Sequence, residues 1–114
     1  MTKIPTNLEE CFIALNEMLG SEQVEEFKGW DENSVVGKSH HSLGRFLRNE
    51  WGLWSGSDLK TYFEGMGIKH ADDMSGIIID SYHRHLNGKP LDVEEQVNFY
   101  KNYWEKTKEN NGAT

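Results

Sequence analysis

Apolar residues recur at spacings of three and four along most of the chain, the period that one face of an α-helix requires. Leu8, Cys11, Phe12, Leu15 and Leu19 make the first such stripe. Asn7 stands before it with Glu10 three residues on, an N-cap and its N3 partner. Gly20 is placed to end the helix at C′. Ser21 then opens a short acidic helix to about Lys28, stopped by Gly29. The segment 30–38, WDENSVVGK, predicts an irregular connection with room for one helical turn.

From about Ser39 to Trp51 the pattern predicts a helix whose apolar face is Leu43, Phe46, Leu47 and Trp51. His41, Arg45, Arg48 and Asn49 fall on its other side. GLWSGS breaks the chain, and Ser57 caps a helix from Asp58 to about Met66 that buries Leu59, Tyr62, Phe63 and Met66. Gly67 stops it. A helix starting at Ala71 or Asp72 runs to about Leu86, buried through Met74, Ile77, Ile78, Tyr82 and Leu86. Gly88 and Pro90 terminate it. Asp92, with Glu95 at N3, caps a last helix to about Lys106 with the stripe Val93, Val97, Tyr100 and Trp104. No segment alternates with period two. The expected architecture is all-α: one domain over 1–114, a compact bundle of five or six short helices, frayed at 1–6 and 107–114.

Composition fits one small core, since the chain has 114 residues, 36% of them hydrophobic and 11% aromatic. No apolar run approaches the ~20 residues that span a bilayer. The start, MTKIPTNLEECF, lacks the apolar region of a signal peptide. Cys11, the single cysteine, has no internal disulfide partner and reads as a buried small hydrophobe. The expected location is the cytoplasm.

Charge narrows the partners. The net charge of −7 argues against direct nucleic-acid binding, which calls for a basic stripe. Residues 1–35 hold two lysines against eight acids, whereas all three arginines and all five histidines lie within 36–90.

Two stretches carry candidate chemistry. In WGLWSGS, Gly52 and Gly56 are free to take positive φ, and Trp51 and Trp54 are three apart. The structural reading is a hydrophobic corner between helices. The functional one is a stacking surface beside Ser55, Ser57 and the amides opening the next helix, where Arg45 or Arg48 would help hold a phosphate. Asp58 competes for that positive helix end, and the segment lacks a phosphate-loop lysine and spacing. In HADDMSG, Asp72 and Asp73 open a helix, where carboxylates suit the macrodipole, and either would pair with Arg45 or Arg48. As a metal site, His70, Asp72 and Asp73 lack a second imidazole at helical spacing, so no metal or other cofactor is assigned. Ser55, Ser57 and Ser75 are conceivable nucleophiles with His70 and Asp73, but no nucleophile elbow is present, and no catalytic residue is assigned. Asp80 and Arg84 form an i,i+4 pair.

Leu43 to Trp104 resembles an uncharacterised family of small bacterial and phage proteins. The resemblance rests on RNEWGLWSGS, on GIKHADDMSGII, on the Tyr82-His83-Arg84 helix and on an aromatic last helix. It carries no chemistry. It implies a bacterial or phage setting, where small proteins of this size often inhibit host systems. The function expected is therefore a small non-enzymatic binding protein, an inhibitor or regulator acting on a protein partner, with host defence as one target. The alternative is a binder of a nucleotide or small anionic signal. A small hydrolase using His70 and Asp73 is third. The candidate binding residues are Arg45, Arg48, Trp51, Trp54, Ser55, Ser57, His70, Asp73 and Arg84. A pocket, if present, is expected between the arginines and the last turn before the His70 helix.

Overall fold

The structure, a computed structural model, describes residues 4–112, with side-chain surroundings given through Lys106. The expected fraying falls partly on 1–3 and 113–114, outside the described residues. Helix α1 spans Leu8–Lys28, and the Asn7 carboxamide accepts from the Glu10 amide as its N-cap. Gly20 interrupts it at φ 77°, ψ 162°, so the anticipated break is a kink between two helical halves. Helix α2, Glu32–Ser39, occupies the segment expected to be irregular; Asp31 caps it by accepting from the Asn33 amide. A π-helical turn, His40–Gly44, joins α2 to α3, Arg45–Glu50.

That π turn corrects the expected facing of the third helix. A π turn adds a residue to the helical repeat and rotates the helix beyond it. Gly44, Leu47, Arg48 and Trp51 point inward, while Phe46 is 39% exposed and Arg48 only 6%. Gly44 is needed there: a Cβ would lie 2.9 Å from Arg48 Nη1 and 3.3 Å from the Ser39 carbonyl.

Helix α4, Asp58–Glu64, is capped by Ser57 as the sequence indicates. Gly67, at φ 94°, ends the turn after it. Helix α5, Ala71–Leu86, is the axis of the molecule, with eleven of its sixteen residues buried. Helices α1 to α4 and the first half of α6, Val93–Gly112, pack around it. The core includes Leu15 and Phe12 of α1, Val35 of α2, Leu47 of α3, Phe63 of α4, and Ile77, Ile78 and Tyr82 of α5. Tyr82 keeps its hydroxyl satisfied by donating to Asn16 Oδ1 at 2.6 Å.

Asp92, expected to cap α6, instead sits at φ 48° with its carboxylate 3.7 Å from Arg84; a capping residue is normally extended. Helix α6 runs past Lys106 to Gly112. Val97 is buried on its inner face and Val93 and Tyr100 half-buried, but the helix outruns the domain it packs on. The radius of gyration is 14.5 Å and the extents 51 × 31 × 24 Å, against about 13 Å for a compact chain of this length.

Candidate functional site

The candidate residues separate into four places. The first is the turn after α3. Trp51 is buried against the core, whereas Trp54 is 57% exposed. The two tryptophans therefore do not form one stacking surface. Gly52 takes φ 69°, and a Cβ there would meet the Gly56 carbonyl at 2.7 Å, so the close approach needs glycine. Ser57 Oγ donates to the Trp51 carbonyl at 2.9 Å and accepts from the Lys60 amide at 3.1 Å. The Gly56 amide closes the loop on the Gly52 carbonyl at 2.8 Å, and Lys60 Nζ reaches the Trp54 carbonyl at 3.4 Å. The turn is thus tied at both ends, with Trp54 and Ser55 held outward at its tip. Arg45 and Phe46 are exposed on the preceding helix.

The second place is Arg48. Its guanidinium donates to Ser75 Oγ at 3.0 Å and to the His40 carbonyl at 2.9 Å, and Nε lies 3.4 Å from Asp72. Ser75 in turn donates to the Asp72 carbonyl at 2.9 Å. Arg48 therefore fastens the π turn to the start of α5. The Ser75 hydroxyl is used both as donor and as acceptor.

The third place is a cleft of about 450 Å³ between the 67–70 connection, the start of α5 and the inner edge of α6. The His70 imidazole stacks on the Trp104 indole with centroids 3.9 Å apart. Trp104 Nε1 donates to Asp73 Oδ2 at 2.7 Å. Lys69, Lys101 and Glu105 stand around this group, and Tyr100 lines the cleft beside them. Burial pushes the Asp73 carboxyl up, and the Trp104 hydrogen bond and His70 pull partly against it. Burial also raises the Tyr100 hydroxyl, and the nearby Asp73 and Asp80 add to that.

Arg84 is the fourth. It pairs with Asp80 at 3.2 Å, Glu32 at 3.3 Å and Asp92 at 3.7 Å, and donates to the Leu91 carbonyl at 3.0 Å. It ties α2 and the α5–α6 connection to α5. Burial pushes the Asp80 carboxyl up even though the Arg84 guanidinium favours its charge.

Of the residues singled out from sequence, the structure brings His70 and Asp73 together and keeps Arg45, Arg48 and Arg84 apart from them. A pocket does open at the His70 junction, yet its second wall is α6 rather than the arginine helix. Trp104 and Tyr100 were legible as the inner stripe of α6, but their place across from His70 depends on how α6 docks. His70 and Asp73 converge on Trp104, whereas Asp72 turns to Arg48. Among the described residues no group of three or more histidines, cysteines or acids is arranged to hold a metal ion. No described helix is long and apolar enough to cross a membrane.

The chain belongs to the family described as "Domain of unknown function (DUF6794)", which it matches over residues 4–86, from before α1 to the end of α5. No curated protein and no solved structure matches it.

Proposed function

We propose that this member of an uncharacterised family is a small non-enzymatic binding protein that acts by occupying a protein partner. In a bacterial or phage setting it would serve as an inhibitor or regulator, working in the cytoplasm of the host cell. The observation that supports this is Trp54. A large aromatic side chain is 57% exposed on a turn fixed at both ends. Rigid presentation lowers the entropy lost on binding, and tryptophan is enriched among residues that dominate interfaces. Arg48, Ser57, Ser75 and Arg84 are meanwhile engaged in internal bonds.

The test is capture from host lysate with wild type and Trp54→Ala, followed by titration of the captured protein. A dominant anchor costs about 2 kcal/mol or more on truncation, roughly a 30-fold loss of affinity. Equal binding by the variant, with its helical circular dichroism intact, refutes the assignment of Trp54. Absence of any partner at high protein concentration refutes the function.

A second reading, a binder of a small anionic ligand, draws on the cleft beside His70, where Lys69 and Lys101 supply positive charge. It would not use Arg48 or Arg84. A thermal-shift screen with nucleotides decides it, since a ligand at 100 times its Kd stabilises by about 2.7 kcal/mol.

A further inference from the structure

The cleft beside His70 carries both signs of charge. Its volume of about 450 Å³ falls in the range of small-molecule sites. Two cations line it, Lys69 and Lys101, and two carboxylates, Asp73 and Glu105. The signs do not cancel one another: none of the four enters an ion pair with any described residue. Lys101 is laid against the 67–70 connection. A Cβ on Gly67 would meet its Cε at 3.2 Å and its Nζ at 3.4 Å, so glycine at 67 leaves the room that the ammonium uses.

Asp73 lies deeper, at 9% exposure. Trp104 Nε1 occupies its Oδ2 at 2.7 Å, while Oδ1 accepts from no described residue. Burial works against the charge of this carboxyl, and a cation brought by a ligand would offset that cost. Tyr100 and Trp104 add ring surface from α6. An anion alone would meet the two lysines but also two carboxylates, and a cation alone the reverse. A molecule with one charge of each sign finds a complementary group at both ends and apolar walls for its body.

We propose that the cleft binds a free amino acid with an apolar or aromatic side chain, its carboxylate at Lys101 and Lys69 and its ammonium at Asp73. This rests on the cleft being a site for a small anionic ligand, and adds that the ligand carries an ammonium group as well.

Calorimetric titration of the full chain with the common L-amino acids at millimolar concentration is the test. A member of the apolar or aromatic set binds. Its N-acetyl derivative, which lacks the ammonium, and its methyl ester, which lacks the carboxylate, bind about tenfold more weakly or worse. Lys101→Met weakens the free amino acid to a similar extent but not the methyl ester. Asp73→Asn weakens it but not the N-acetyl derivative. A disturbed fold cannot imitate that crossed pattern. Equal binding by the N-acetyl derivative, or binding by inorganic phosphate or a nucleotide but by no amino acid, overturns the proposal and leaves the anionic-ligand reading standing. Equal binding by the methyl ester, or binding confined to polar amino acids, also overturns it. No binding by any amino acid, phosphate or nucleotide overturns both. The titration contains no protein partner, so its outcome is independent of the one for Trp54.

Discussion

Gly76 sits in the middle of α5 under α6, where a methyl group has a calculable consequence. Alanine in place of glycine inside a helix ordinarily stabilises by about 1 kcal/mol. At Gly76 the added Cβ would lie 2.7 Å from the Tyr100 hydroxyl oxygen, closer than real Cβ contacts come. Its next neighbours, Tyr100 Cζ and Val36 Cγ1, are both at 3.6 Å, ordinary contact. The obstacle is therefore one oxygen atom on a half-buried ring. Forcing a methyl into a packed site costs about 1–3 kcal/mol, so Gly76→Ala should destabilise by about 0–2 kcal/mol after its helical gain. In a Tyr100→Phe background the oxygen is gone and the same substitution should stabilise by up to about 1 kcal/mol. The sign reverses, and the coupling energy across the cycle is about 1–3 kcal/mol. Urea unfolding of the four proteins measures it, each midpoint shift being multiplied by a slope of about 1–3 kcal/mol/M. Equal effects of Gly76→Ala in both backgrounds would show that α6 does not lie against α5 through Tyr100.

Ser57→Ala removes the α4 cap and the bond to the Trp51 carbonyl, and should lower unfolding free energy by about 1–2 kcal/mol in urea titration. Arg48→Ala unties the π turn from α5 by removing the bonds to the His40 carbonyl, Ser75 and Asp72; a loss of about 2–3 kcal/mol is expected in urea unfolding, less than for a fully buried pair because Asp72 is largely solvated. The Asp73 carboxyl is raised above its ordinary value of 3.8 by burial, so the folded protein holds that proton more tightly than the unfolded chain. Stability contributed by this group is present at low pH and falls as pH rises from 3.8 through the raised value. Asp73→Asn should flatten that descent in Tm against pH, leaving the share due to Asp80, which has the same sign. Burial pushes the Cys11 thiol up to about 12, so a thiol reagent at mildly alkaline pH should label it only after denaturant is added.

Features written in a few neighbouring residues were legible in the sequence. Asn7, Ser57, Gly67 and Gly88 act where their local chemistry places them, because a cap or a positive-φ stop is decided within one turn of helix. Helix α2 was missed because eight residues leave too short an apolar stripe, with Val35 its one large buried side chain; the usable signal was Asp31 two residues before Asn33. The facing of α3 was misread for a different reason. The sequence 39–51 has a sound regular period, but the chain takes a π turn over His40–Gly44, where Gly44 admits the Arg48 guanidinium and Ile79 from α5. That choice is made by tertiary packing, not by the segment itself.

Asp72 and Asp73 show why the candidate site resisted the sequence. They are adjacent, chemically identical, and placed alike at a helix start, so local rules assign both to the macrodipole. Successive residues on a helix point about 100° apart, and that difference sends them to different partners on either side of α5. Asp72 meets Arg48 and becomes part of a fastening between helices. Asp73 meets Trp104 and becomes the floor of a cleft, its charge disfavoured by burial. Arg48 is 24 residues before Asp72 and Trp104 31 residues after Asp73. Residue type and spacing nominated the right stretch of chain, but the distinction between structural bond and open pocket lies in the partner across the fold. Helix α6, beyond the matched 4–86 segment, supplies that partner for Asp73. Removing the Trp104 indole should therefore widen the cleft and loosen α6 without disturbing the Arg48–Asp72 fastening.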